Sequence, residues 1–220
     1  MNPDLSRFRH IAIEGPIGVG KSSLAIRLAR HLGAEVVLEE PAANPFLEHF
    51  YADMPGYAFQ TQMFFLFQRL RQMQALVQSS VFASAVVSDF LFAKDAIFAR
   101  LNLSDDEYRL YCQIHARVAA LVPEPDLVIW LQAPTSTLTQ RIRRRAIAME
   151  QGIAASYLDR LAAAYAEHFQ TYDGAPVLGV ATERFNPAER DADFALLLER
   201  LHAFGGTREF FDAADARPLS

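Results

Sequence analysis

Gly15-Pro16-Ile17-Gly18-Val19-Gly20-Lys21-Ser22 satisfies the pattern G-x-x-x-x-G-K-[ST]. The apolar run His10–Glu14 precedes it and reads as a strand. Beyond it, Leu24, Leu28 and Leu32 recur at the i+4 interval of a helix. Strand, glycine-rich turn and helix in that order are the context a phosphate-binding loop requires, and the residue types follow from the chemistry. Gly15, Gly18 and Gly20 let the backbone curl and turn its N–H groups toward phosphate oxygens. The helix that follows adds the positive end of its dipole. Lys21 supplies a mobile cation for the β- and γ-phosphates, and the Ser22 hydroxyl is a ligand for Mg²⁺. The stretch from Gly15 to Ser23 thus predicts a nucleoside triphosphate site, with ATP and Mg²⁺ as the expected cofactors.

Outward from the loop, four more apolar segments read as strands: Glu35–Glu39, Ala85–Ser88, Asp126–Leu131 and Pro176–Val180. They are β-branched runs without strict alternation, as expected of strands buried on both faces of a parallel sheet. Helical segments lie between them. Tyr57–Val81 is Pro-free and aromatic. Ser104 opens a capping box with Glu107, followed by Leu110, Ile114 and Val118 at i+4, and Leu158, Leu161, Tyr165 and Phe169 mark another helix. Alternating strands and helices predict an α/β P-loop kinase fold, a five-stranded parallel sheet flanked by helices, with its ligand crevice at the strands' C-terminal ends. The chain is expected to form one domain over residues 1–220, with a loosely held tail from Gly205 to Ser220.

Composition narrows the function classes. Apolar residues make up 51% of the 220 positions, which excludes a disordered chain. A net charge of −5 argues against a partner that is a nucleic acid polymer, because such binding needs a cationic surplus to displace counterions. The single Cys112 excludes a disulfide framework and a Cys-x-x-Cys metal site. The first residues lack an apolar signal-like core and no uncharged run is long enough to span a bilayer, so a cytoplasmic protein without membrane contact is expected.

The second strand runs into Glu39-Glu40-Pro41 on the crevice side, where a carboxylate can take the proton of a hydroxyl attacking the γ-phosphate. On the helix beyond, Gln62, Phe65 and Arg69 fall at i, i+3 and i+7 and share one face. A Gln amide joins a donor to an acceptor, suited to a nucleobase edge, whereas Phe59, Phe64, Phe65 and Phe67 are first of all packing signals. Further on, Arg141-Ile-Arg143-Arg144-Arg145 is followed by Met149-Glu150. Arg141 and Arg145 stand one turn apart, as a clamp on phosphoryl oxygens requires.

The segments GPIGVGKSS, EEP and NPFLEHFYADMPGYAFQTQMFFLFQR together resemble the deoxyribonucleoside kinase family, in particular its bacterial purine-preferring branch, from about residue 9 to 170. The resemblance implies ATP-dependent phosphorylation of the 5′-hydroxyl of a deoxyribonucleoside, in nucleotide salvage, by a homodimer. It implies that Glu40, the Glu before Pro, is the base; alternation along the strand then turns the neighbouring Glu39 to the sheet's opposite face. Tyr51 would bond the sugar 3′-hydroxyl, Gln62 the base edge, and Arg69 would support Glu40 or the base pocket. Phe98 would stack on the base, and Glu150 would reach the sugar from a lid over about residues 140–153. Arg141 and Arg145 of that lid would clamp the phosphoryl group.

Two departures stand out. The lid's third basic position holds Ile147. The acidic-Arg-Ser triplet of the family's third strand is replaced by Ser88-Asp89-Phe90, so Asp89 remains for the Mg²⁺ shell while Lys94, Arg69 or a lid Arg must supply the missing charge. Asn186-Pro187, with Arg184 and Arg190, is a candidate for the donor's adenine. The competing readings are a thymidylate or other nucleoside monophosphate kinase, and a non-catalytic nucleotide-binding regulator.

Overall fold

A computed structural model describes residue 5, residues 7–79 and residues 85–213. Its sheet is built around β1 (His10–Glu14), which pairs in parallel with β3 (Val86–Ser88) on one side and β4 (Leu127–Gln132) on the other. β2 (Glu35–Val37) extends the sheet beyond β3, and β5 (Val177–Ala181) and β6 (Arg208–Phe211) extend it beyond β4, giving the order β2-β3-β1-β4-β5-β6 with every pairing parallel.

Both faces of this sheet are covered, which is why its central strands read as continuous apolar runs. Ile11, Ile13, Ile129, Leu131 and Leu178 join the buried leucines of α1 (Lys21–Leu32) and α8 (Asp191–Ala203) in one cluster. The alternate residues Ala12, Val128 and Val177 meet Tyr157, Leu161, Tyr165 and Phe169 of α7 (Ala155–Thr171) and Ile97 of α4 (Lys94–Asn102) in a second. The two clusters lie on opposite faces because successive strand side chains alternate.

Between β2 and β3 run a short α2 (Leu47–Ala52) and the long α3 (Met54–Ser79). The helix expected over Tyr57–Val81 is thus present from Met54 to Ser79; Val81 lies outside the described residues. α5 (Asp105–Ala119) begins at the expected capping box, Glu107 Oε2 accepting the Ser104 backbone N–H at 2.9 Å. Its buried face differs from the expected stripe. Tyr111 is fully buried and Ile114 and Val118 half-buried beside it, whereas Leu110 is 48% exposed. A stripe at i+4 alone drifts around a helix of 3.6 residues per turn, and the neighbouring position 111 takes the inward place. α6 (Thr135–Arg145) carries the arginine run.

The sequence predicts a loosely held tail from Gly205 to Ser220 and a five-stranded sheet; residues 214–220 of that tail lie outside the described residues. Instead Arg208–Phe211 forms a sixth strand whose Phe211 is buried edge-to-face against Phe185 at 5.4 Å between ring centroids. With Phe210 exposed and Arg208 bound to the carbonyls of Gln170 and Tyr172, this edge strand buries one face only, so its apolar signal is two residues long.

Candidate active site

The loop between β1 and α1 closes against its neighbours at two glycines. A Cβ at Gly15 (φ 147°) would lie 2.3 Å from the Leu131 carbonyl oxygen of β4, and one at Gly18 (φ 83°) 2.8 Å from the Ile142 side chain of α6. Below the loop, the fully buried carboxylate of Glu14 accepts the Gly15 N–H and the Tyr165 hydroxyl through Oε1, and the Leu91 N–H through Oε2, each at 2.8 Å. Lys21 Nζ donates to the carbonyls of Gly15 (2.8 Å) and Pro16 (3.2 Å). Burial and then the nearby Lys94 ammonium press the Lys21 pKa down to about 8, against the pull of Glu14, Glu39 and Asp89.

Ser22 Oγ donates to Asp89 Oδ2, while Asp89 Oδ1 accepts the Glu39 N–H at 2.7 Å. The Asp89 pKa is raised by burial, with the Ser22 bond opposing the rise. A hydroxyl and a carboxylate side by side at the loop's end form an oxygen donor set that fits a hard cation such as Mg²⁺; Ser22 and Asp89 would hold it, and it would neutralise phosphate charge there. Among the described residues no cluster of three or more His, Cys, Asp or Glu could hold a metal ion by itself.

The placement of the two adjacent glutamates reverses the expectation. β2 ends at Val37, and the Asp89 bond holds the main chain at Glu39 so that this side chain enters the crevice. Arg69 Nε and Nη2 bond its Oε1 at 2.8 and 2.7 Å, and Lys94 Nζ bonds Oε2 at 3.1 Å. Burial alone would raise the Glu39 pKa; the two cations overcome it and hold the carboxyl down to about 2. Glu40 is exposed, turned out where Pro41 opens a 3₁₀ turn, and contributes only its carbonyl, which accepts from Gln68 Nε2 at 3.1 Å.

Around Glu39 lies a cavity of about 290 Å³, lined by most of the expected acceptor residues: Tyr51, Gln62, Arg69, Asp89, Phe98 and Glu150. Gln62 is buried and donates through Nε2 to the Asp95 carbonyl at 3.0 Å, which leaves its Oε1 for a ligand. Arg69 is closed off by its bonds to Glu39 and Asp95 and stacks 5.0 Å over Phe65. Phe98 stands edge-on to Tyr165 at 6.3 Å. Burial, then Tyr157 and Glu150, raise the Tyr51 pKa, so its phenol stays protonated. Glu150 is paired with Arg145.

A second cavity of about 270 Å³ opens on the other side of the loop, lined by Gly18 to Ser23, Arg141, Arg144, Arg145 and the Asn186–Glu189 turn. Arg141 is not poised as a free clamp. Its guanidinium bonds the Val19 carbonyl (3.0 Å) and both oxygens of Thr182 (3.2 and 2.5 Å), tying α6 to the phosphate loop and to the turn after β5. Arg144, bonded to Glu189 at 2.5 Å, lines the donor side, whereas Arg143 faces a separate depression with Thr135 and Asp159. Ile147 lines the acceptor cavity. The two cavities share Gly18, Lys21, Ser22 and Arg145.

Sequence reasoning did not single out Glu14, Asp95 or Tyr157. Glu14 carried a signal, a carboxylate ending a buried strand beside the loop. The Asp95–Arg69 pair had none, because its members are 26 positions apart.

A phosphate loop joining a basic cavity to an apolar one that ends in a carboxylate defines a phosphotransferase with a small-molecule acceptor. Comparison with known proteins agrees. A family model described as deoxynucleoside kinase matches residues 11–202. A deoxyguanosine kinase of Bacillus subtilis (strain 168) is 35% identical over 156 residues, 70% of this chain and 75% of that protein. A deoxyadenosine kinase of Dictyostelium discoideum is 34% identical over 166 residues, 73% of this chain and 66% of that one. Among solved structures, the deoxyadenosine kinase of M. mycoides with bound dCTP superposes with a TM-score of 0.75 at 26% identity, covering 89% of this chain and 100% of that one. The same enzyme with bound dATP gives 0.72 at 28% identity, over 88% and 98%. The chain belongs to the deoxynucleoside kinase family, and it is an enzyme that phosphorylates a nucleoside to the monophosphate.

Proposed function

We propose that this chain transfers the γ-phosphoryl group of ATP, as its Mg²⁺ complex, to the 5′-hydroxyl of a purine deoxynucleoside, with Glu39 as the proton acceptor. The observation that carries this reading is the meeting of the two cavities at Lys21 and Ser22, with Glu39 on the acceptor side of that junction. The triphosphate lies along the loop's N–H groups, its γ-phosphate between Lys21 and Arg145. Mg²⁺, held through Ser22 and the Asp89 shell, supplies charge neutralisation to the phosphates. The deoxynucleoside enters the apolar cavity, where the protonated Tyr51 and Glu150 meet the sugar, Gln62 Oε1 accepts from the base edge, and Phe98 flanks the ring. Glu39, held ionised and fixed in direction by Arg69 and Lys94, faces the 5′-hydroxyl. Positioning and charge stabilisation carry most of the acceleration in such a reaction.

A purine acceptor is supported by the deoxyguanosine and deoxyadenosine kinases among the relatives. Transfer of labelled phosphate from ATP to each of the four deoxynucleosides and to dTMP tests the reading. Deoxyadenosine or deoxyguanosine is expected to give the highest kcat/KM; dTMP as the preferred acceptor, or no transfer to any, refutes it.

We also infer a homodimer. Phe67 of α3 and Leu110 of α5, 46% and 48% exposed, are large apolar side chains that a second copy would cover. Sedimentation equilibrium giving a monomer at micromolar concentration would overturn this. Among the described residues no helix is long and apolar enough to cross a membrane.

A further inference from the structure

Charged groups at the junction of the two cavities form a chain: Asp95, Arg69, Glu39, Lys94. Its inner members are closed. Arg69 is 3% exposed and divided between two carboxylates, and both oxygens of Glu39 are occupied. Lys94 ends the chain and differs from them. Its side chain is 3% exposed and lines the acceptor cavity, and among the described residues its ammonium has one hydrogen-bond acceptor, Glu39 Oε2. An ammonium carries three N–H donors, and the other close feature is the face of Phe98, 5.7 Å away. Lys94 is also within electrostatic range of Lys21 and Asp89, the residues at the loop's end.

Besides Lys21 and Arg145, which the reading above sets beside the γ-phosphate, the positions expected to carry a cation at the reacting centre are spent or absent. Phe90, where the sequence lacks an arginine, is fully buried against Met73 and Val86. Position 147 is an isoleucine, and Arg141 is tied to the Val19 carbonyl and to Thr182.

We propose that Lys94 changes partner during the reaction, passing from Glu39 to the oxygens of the transferred phosphoryl group. This rests on the acceptor-site reading above. In the transfer, the 5′-oxygen forms a bond to the γ-phosphorus, the bond from that phosphorus to the β–γ bridging oxygen breaks, and its electron pair leaves on ADP. The hydroxyl proton passes to Glu39. Neutralised, Glu39 no longer holds the ammonium, at the moment when the phosphoryl oxygens reach the cavity and need one. Lys94 is then the residue that both fixes the acceptor carboxylate before the step and stabilises charge during it.

Three measurements on the full chain test this. Lys94→Met should lower kcat about 10²-fold or more, as loss of a positioned charge does, while the deoxyadenosine Kd from calorimetry changes only a few-fold. Lys94→Arg should recover most of the loss, and n-propylammonium should restore activity to Lys94→Ala saturably. A kcat for Lys94→Met within about threefold of wild type, or a loss that neither arginine nor the amine relieves, overturns the proposal. The third measurement needs no variant to fold. In the wild-type enzyme the Lys94 Nζ resonance should shift when deoxyadenosine, MgADP and fluoroaluminate bind together, and not with deoxyadenosine alone; an unmoved resonance overturns the proposal. The two readings fail differently. If the wild type phosphorylates no deoxynucleoside, the acceptor assignment falls. If it does, and Glu39→Gln is crippled while Lys94→Met is not, only the role of Lys94 falls.

Discussion

Glu39 and Glu40 share a side chain and differ only in where the backbone leaves them. Glu39→Gln keeps the shape and removes the basic oxygen and the charge between Arg69 and Lys94, so kcat should fall about 10²-fold or more if it is the base. Glu40→Gln, at an exposed side chain, should leave kcat near wild type; steady-state kinetics on both variants checks the pair, and the reverse pattern would return the role to Glu40. Lys21→Ala should abolish transfer while calorimetry still detects deoxynucleoside, because among the described residues Lys21 bonds the loop carbonyls of Gly15 and Pro16 and not the side chains proposed to hold the nucleoside. Gln62→Ala should cost roughly 1–3 kcal/mol in kcat/KM for the nucleoside by leaving a base edge unpaired, with ATP affinity unchanged. Much at this scale is legible in sequence, since the loop's glycines, Lys21 and Ser22 are set by a local pattern. Which glutamate faces inward is not. That turns on the Asp89 side chain 50 positions away and on the turn begun by Pro41. The Lys94–Glu39 contact spans 55 positions and leaves no local trace either.

At the scale of elements, strong periodicity and caps announce themselves, as in α1, α7 and the start of α5. Elements defined by one-sided burial do not. β6 shows why, because Phe211 is buried and Phe210 exposed, and a two-residue alternation inside a polar tail carries no readable signal. If β6 is an integral strand, Phe211→Ala should destabilise the protein by about 3–5 kcal/mol, the usual range for a buried aromatic, as measured by urea denaturation. A change within a few tenths would return the segment to a loose tail. The arginine helix makes a similar point. Helical spacing places Arg141 and Arg145 on one face, but only the structure shows Arg141 spending its donors on Val19 and Thr182.

For the whole molecule, burial joins charge state to stability. His10, the half-buried first residue of β1, lies 3.0 Å through Nε2 from the Ser88 hydroxyl of β3, and burial lowers its pKa to about 4, with Asp126 pulling the other way. Its folded pKa lies below the unfolded value of about 6.5, so between those values the unfolded chain binds the extra proton and stability falls as the pH falls. His115 and His168 are lowered by burial in the same sense. Glu39, held near 2, loses its stabilising ionisation only below the ordinary carboxylate range. Thermal unfolding should therefore show Tm declining from pH 6.5 toward 4, and His10→Gln should flatten part of that decline; a Tm constant over the window would contradict it. The wedging of Gly15 against the Leu131 carbonyl, with Glu14 bracing the loop from beneath, bears on time as well as energy. A loop pinned from two sides has no slow rearrangement to complete before it receives phosphate oxygens. In a rapid-mixing experiment with ADP, the observed rate of the binding phase should therefore climb in proportion to concentration, with no plateau to mark a preceding isomerisation.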